Sequence, residues 1–493
     1  MEPVVSIAQG TLRGASSDGI VSFKGVPYAA APQGVNRFAA PAPASSWDGV
    51  RDAVRYGSTA PKAPYPQPID KLLQEPIIPG AEYLNLNVWT PDVSGRLPVL
   101  VWIHGGAFVN GSGAVDVYGG SAFAKDGVVC VTINYRLGAE GFLLLDGAPA
   151  NCGLLDQVAA LTWVRDNIAA FGGDPDAVTI AGESAGAMSV GCLLSMPVAA
   201  GLFRRAIAQS GAAQHVMSVE TASKVTAALA EQLGIAATRD GFASVSAEAL
   251  VAAQTALSAR IAMEPSPLLW GEIATDSMAF EPCVDGTVLT ARPLDRLAAG
   301  ACADVDVLIG TNSDEMTLFV VPNGLVDMIS SDVLRMGLAA FGLDIDATVA
   351  AYGAVLPQAS PGELFAVIVR DRSFWIPAIR VAEARLTHGA DTFVYEFGWR
   401  SPQLGGRLGA THALEIAFVF DNLGESEGHP LTGAQPPQEL ADVTHGAWVA
   451  FVTSGDPGWQ AYGTGRQVMH FDVSSGVVAD PARELREIWD GVR

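Results

Sequence analysis

The chain alternates short apolar or β-branched runs with longer stretches of helical pattern, and few folds accept that alternation. It implies an α/β architecture in which a large, mostly parallel central sheet is covered by helices on both faces. The clearest strand candidates are LPVLVWI (97–103), GVVCVTINY (127–135), AVTIAG (177–182), RRAIAQS (204–210), VDVLIGT (305–311) and DTFVYEF (391–397). Between the second and third of these, GLLDQVAALTWVRDNIAAF places Leu154, Val158, Leu161 and Ile168 on one helical face and ends at Gly172 and Gly173. That is the pattern of a crossover helix. Residues 218–262 are rich in Ala, Leu and Glu, and Ser246 followed by Glu248 has the chemistry of a helix start. They predict an all-helical excursion, read as a cap. At 493 residues the chain could hold about three domains by length alone, but no linker divides it. STAPKAPYPQPID (58–70) reads as a rim loop, so residues 1–493 are expected to form a single domain with a helical insertion around 218–265.

The formal charge of −23, with few and scattered lysines, argues against nucleic acid and anionic membrane as partners. The N-terminal MEPVVSIAQGTLRG lacks the basic and apolar regions of a leader, which predicts a cytoplasmic protein. Cys130, Cys152, Cys192, Cys283 and Cys302 form no CxxC pair or Cys/His cluster, so they are expected to be buried thiols, with no metal site. The NGS at Asn110 matches a glycosylation acceptor but reads as a chance match. Charge favours no strong self-association, and a monomer or weak homodimer is expected.

Two glycine-bearing turns carry the chemistry. In AVTIAGESAGAMSVGCLL, Gly182-Glu183-Ser184-Ala185-Gly186 stands between a strand and a helix-compatible run. A serine on such a turn is held exposed in a strained backbone, and the helix behind it aims N–H groups at the same spot. A serine needs a base, and the base needs an orienting acid; on this kind of sheet they follow in the order serine, acid, histidine. Asp314 and Glu315 lie just past the 305–311 strand, and the residues leave the choice between them open, leaning to Glu315. After DTFVYEF the Gly-rich loop GWRSPQLGGRLGAT leads to His412, which no other downstream histidine (His215, His388, His429, His445 or His470) matches in placement. The second turn, HGGAFVNGSG (104–113), follows the 97–103 strand. Its Gly105 and Gly106, with the N–H of Ala185, would bind the oxyanion formed when Ser184 attacks a carbonyl, leaving His104 as scaffold. A phosphate-binding role is not supported, because no dinucleotide fingerprint or P-loop is present.

With these residues in view, the chain resembles the type B carboxylesterases, the α/β-hydrolase family that includes cholinesterases and bacterial para-nitrobenzyl esterases. The similarity runs nearly end to end, through FKGVPYAAAP (23–32), EYLNLNVWTP (82–91), HGGAF (104–108), NYRLGAEGFL (134–143), FGGDP (171–175), GESAGA (182–187), LFRRAIAQSG (202–211), GTNSDE (310–315), HALEIAFVF (412–420) and SGDP (454–457). The resemblance implies an α/β-hydrolase fold with helical insertions capping the active site, and Ser184 as nucleophile, Glu315 as acid and His412 as base. It also implies Gly105, Gly106 and Ala185 as oxyanion donors, and ester hydrolysis through an acyl-serine without cofactor or metal. Three departures stand out. Tyr83 replaces a disulfide cysteine, Ala107 replaces the third glycine of HGGG, and Met316 follows the acid where glycine is frequent. The expected substrate is a small-molecule ester, small to medium and uncharged. Carbamates, amides and aromatic polyester fragments are the alternatives for the same triad, and a non-catalytic binding role is the remote one. Phe108, Met188, Met316, Phe374 and Trp375 are candidate pocket-lining residues.

Overall fold

Each run expected as a strand forms one, and together they make the middle of an 11-stranded sheet. The computed structural model describes residues 2–276, 278–424 and 430–492. In chain order the strands are β1 (Ala15–Ser17), β2 (Ile20–Pro27), β3 (Asn85–Thr90), β4 (Leu97–Ile103), β5 (Val129–Ile133) and β6 (Gly173–Glu183). They continue as β7 (Arg205–Gln209), β8 (Asp306–Asn312), β9 (Thr392–Phe397), β10 (Gln467–Phe471) and β11 (Gly476–Ala479). The spatial order is β11-β10-β9-β8-β7-β6-β4-β5-β3-β2-β1. From β5 to β10 neighbours are parallel, and antiparallel pairs close both edges.

The continuous apolar character of the central strands has a direct cause, since both faces of the sheet are buried. Along β4, Val99, Val101 and Ile103 enter one core while Leu100 and Trp102 enter the other. Helix α1 (Cys152–Asn167) is the expected crossover, with Leu154, Leu161 and Val164 wholly buried, and Gly172 ends the segment at φ 80°. The antiparallel strands β2 and β3 are unmarked in the sequence, because Lys24, Gly25 and Pro27, or Asn85 and Asn87, suit a strand poorly. The buried asparagines are accommodated by hydrogen bonds: Asn87 Nδ2 donates to Gly113 O (3.1 Å) and Thr132 Oγ1 (2.9 Å).

The chain leaves β4 for β5 on one side and returns to β6 on the other, so the sheet has a topological switch between β4 and β6. Crevices outside the carboxyl ends of strands at such a point are where open α/β sheets bind ligands. Ile103 pairs with Gly182 there, which sets the loop after β4 beside the residue after β6.

The excursion forms the helices Val219–Leu233, Arg239–Ala243 and Ala247–Met263, and Ser246 caps the last by accepting the Ala249 N–H at 3.2 Å. It docks where Gln254 Oε1 accepts the Ala139 N–H (2.9 Å). Among the described residues no single helix is long and apolar enough to cross a membrane. All five cysteines are unpaired. Cys302 departs from the expected burial and is only half-buried, because it lies in the surface turn before β8.

Candidate active site

Ser184 occupies the turn between β6 and helix α2 (Ala185–Leu193) with φ 55° and ψ −123°. Such a backbone costs on the order of 1–3 kcal/mol and persists only where its surroundings impose it. Here the Ser184 N–H donates to Gln209 O (2.9 Å), and Ser184 O accepts the Met188 N–H (2.9 Å). Close packing does the rest: a Cβ on Gly186 would sit 2.0 Å from Ile103 O, so only glycine lets α2 lie against β4. The first-turn N–H groups of α2, beginning with Ala185, have no intrahelical acceptor and present the positive end of the helix dipole beside Ser184.

Glu315 and His412 are brought together across 97 residues. Both follow neighbouring strands, β8 and β9, and the loops are stitched by Asp314 N–H to Ala410 O (2.9 Å) and Asn312 Nδ2 to Thr411 O (2.7 Å). His412 Nδ1 lies 2.6 Å from Glu315 Oε2, and Glu315 Oε1 accepts the Asn312 N–H at 2.7 Å. Asp314 turns away, accepting from Arg400 (2.7 Å) and the Ala410 N–H (2.9 Å). Of the two adjacent carboxylates, only Glu315 reaches the imidazole. Phe319 and Phe374 pack against the imidazole with ring centroids at 5.3 and 5.2 Å.

Gly105, Gly106, Ser184 and His412 line one cavity of about 310 Å³. Among the described residues the N–H groups of Gly105, Gly106 and Ala107 donate to no protein acceptor. Ala107, which the sequence marks only as the replacement of a third glycine, lines the same cavity. His104 is scaffold by geometry: its ring stacks on Tyr135 at 4.5 Å, and Nδ1 lies 2.8 Å from Gly105 O. Burial pushes its pKa down to about 3, so it stays neutral. The other histidines serve elsewhere. His388 meets Ala298 O, His445 meets Val419 O and His470 meets Glu396, while His215 is buried. His429 lies outside the described residues.

The walls are not those the sequence suggested. Phe108, Met188 and Trp375 belong to the core, and Met316 lines a neighbouring cavity. Phe374 touches His412 without lining the cavity. Each is a large apolar side chain, and in sequence such a residue looks the same whether it enters the core or the pocket. The actual walls come from Tyr65, Ile69, Leu72, Leu73, Tyr118, Phe319 and Leu431, and the 218–265 excursion contributes no lining residue.

Two carboxylates escaped the sequence reading. Glu183, inside the serine motif, is buried with Oε1 3.1 Å from His412 Nε2, yet among the described residues that oxygen forms no hydrogen bond. Glu415 is wholly buried and held by Gln209 Nε2 (3.0 Å) and Asn312 Nδ2 (2.6 Å). Burial drives both carboxyls upward in pKa. For His412 burial acts downward, but the charges of Glu183 and Glu315 outweigh it and hold the imidazole above its ordinary value. The only sequence signal for Glu415 is an acid inside the apolar run ALEIAFVF.

The comparisons with known proteins follow the same lines. The carboxylesterase family model matches residues 1–473. Para-nitrobenzyl esterase of Bacillus subtilis (strain 168) is 38% identical, covering 98% of each chain. Phenmedipham hydrolase of Pseudarthrobacter oxydans is 38% identical over 92% of this chain and 90% of its own. The crystal structure of a Geobacillus stearothermophilus carboxylesterase superposes with a TM-score of 0.86 at 37% identity, covering 99% of each chain. A sheet switched at the serine turn, a serine ester hydrolase's arrangement at its carboxyl edge and similarity along almost the whole length converge: this chain belongs to the carboxylesterase family.

Proposed function

We propose that this carboxylesterase hydrolyses small to medium uncharged esters through an acyl intermediate on Ser184. The observation that carries the reading is the buried 2.6 Å contact of His412 Nδ1 with Glu315, set in the cavity that also exposes Ser184 and the free N–H groups of Gly105 and Gly106. Ser184 Oγ attacks the carbonyl carbon while His412 Nε2 takes its proton, and Glu315 holds the resulting imidazolium. Gly105, Gly106 and Ala185, with Ala107 beside them, donate to the oxyanion. Collapse expels the alcohol, which leaves with the proton from His412. Water then repeats the sequence on the acyl-serine and releases the acid. The bond from Ser184 Oγ to His412 Nε2 is assigned to the substrate complex, where such contacts tighten.

The cavity's charge supports an uncharged substrate. Its described lining holds Glu183 but no lysine or arginine, within a chain of net charge −23, and its one titratable base, His412, already faces Glu315, so an anionic ester would meet no cation free to pair with it. A carbamate acyl group is the second reading, supported by the similarity to phenmedipham hydrolase. A reducing, cytoplasmic compartment is part of the proposal, supported by the five unpaired cysteines. The test is turnover of para-nitrophenyl esters of increasing acyl length, with an aryl carbamate alongside. Ser184→Ala should remain folded and lose roughly 10⁵-fold or more in kcat; retained turnover would refute the nucleophile assignment.

A further inference from the structure

A buried ion pair lies behind the oxyanion loop, in a place the reaction as derived does not use. Lys62 Nζ is 2.5 Å from Glu75 Oε1, and the two side chains are 0% and 6% exposed. Taking two such charges out of water costs several kcal/mol per ion, which neutral packing would avoid. Their remaining bonds converge on one residue. Lys62 Nζ donates to Gly111 O at 2.7 Å, and Glu75 Oε2 accepts the Gly111 N–H at 3.0 Å. Both polar groups of Gly111 are therefore gripped by the same pair. A third tie runs alongside, from Asn110 Nδ2 to Ala63 O at 2.7 Å.

Gly111 matters because of what it rests on. With φ at +90°, it lies so near the loop's start that a Cβ there would be 2.3 Å from Gly105 O and 2.4 Å from His104 Nδ1. Gly105 O is thus backed by Gly111 and bound by His104 Nδ1 at 2.8 Å. The peptide linking Gly105 to Gly106 is planar and trans, so fixing that carbonyl aims the Gly106 N–H in the opposite direction. An oxyanion donor is worth most when its direction is set before the charge develops.

We propose that Lys62 and Glu75 are positioning residues for catalysis: by holding both polar groups of Gly111, they fix the Gly105–Gly106 peptide in the orientation that presents its N–H to the oxyanion. The pair also closes the base of the segment between them, whose Tyr65, Ile69, Leu72 and Leu73 form one wall of the cavity. The substrate wall and the oxyanion loop therefore share one anchor. The proposal rests on the ester-hydrolase reading above.

The test uses full-length wild type, Lys62→Met and Glu75→Gln, with folding checked by thermal melting and functional sites counted by the endpoint of aryl phosphonate titration. Lys62→Met should lower kcat at least about tenfold with KM within about threefold, because the lost interaction serves the transition state. Affinity for an aryl trifluoromethyl ketone, whose adduct places an oxyanion in the site, should fall in step with kcat/KM. If Lys62→Met does not fold, near-isosteric Glu75→Gln decides, with an expected kcat loss of about threefold or more and the same parallel. An unchanged kcat in the deciding variant, or a fall without weaker ketone binding, overturns the proposal. Failure of both variants to fold also overturns it, since the pair then serves stability. A wild type that neither turns over esters nor titrates at Ser184 refutes the ester-hydrolase reading instead.

Discussion

Replacing Glu315 by glutamine changes one atom and should abolish most activity, for a reason visible in its two hydrogen bonds. Glu315 Oε1 accepts from a backbone donor, the Asn312 N–H at 2.7 Å, and Oε2 faces His412 Nδ1 at 2.6 Å. The backbone N–H cannot reverse its role, so in Glu315→Gln the amide oxygen must face Asn312 and the NH2 must face His412. The imidazole then has to accept at Nδ1 and carry its proton on Nε2, the nitrogen that should remove the proton from Ser184. The neutral base is in the wrong tautomer, and the imidazolium loses its counter-charge. A loss of about 10³–10⁴ in kcat is expected, or about 4 to 5 kcal/mol of transition-state stabilisation. Asp314→Asn is the contrasting variant. Its partner Arg400 is 62% exposed, a pair worth at most about 1 kcal/mol, and an amide oxygen can still accept the Ala410 N–H. Its kcat should stay within about threefold of wild type. The assay is para-nitrophenyl acetate hydrolysis at saturation, with Ser184→Ala protein as the background and melting temperature as the folding control. Glu315→Gln retaining more than a tenth of the wild-type kcat, or Asp314→Asn falling as far, would show that the acid is misassigned.

Three further outcomes follow from the same geometry. A Cβ at Gly105 would lie 2.7 Å from Glu183 Oε2 and 3.1 Å from Ser184 Cβ. Gly105→Ala should therefore cost about 10²-fold or more in kcat by displacing the donors, and a change confined to KM would contradict this. His412 must be neutral to accept a proton, and its pKa is pushed up toward about 9, so kcat/KM should rise with pH through a midpoint above the ordinary imidazole value of about 6.5. Glu183→Gln removes a carboxylate facing Nε2, which lowers the imidazole pKa and should move that limb at least about one unit toward acid. A limb that stays in place on stopped-flow pH profiling would mean that Glu183 does not act on the base.

Much of the scaffold was legible because its signals are local. Short, continuously apolar or β-branched runs, buried on both faces, mark β4 to β9, and Gly182 to Gly186 mark a turn whose backbone and close packing admit little else. The antiparallel strands β2 and β3 were not legible, since their Lys, Gly and Asn residues find partners only after distant segments assemble. The cavity walls were missed for a related reason: hydropathy separates inside from outside, but not one inside from another.

The residues themselves carry the strands, the strained serine turn and the order in which the candidate acid and base follow it, because each depends on neighbours a few positions away. The assembled molecule alone brings Glu315 rather than Asp314 to His412, sets Glu183 and Glu415 around it, and places Lys62 and Glu75 behind the Gly105–Gly111 turn. These are contacts between loops leaving the carboxyl ends of adjacent strands or between buried charges far apart in the chain, and their distances are set by strand order and register, which no local pattern encodes.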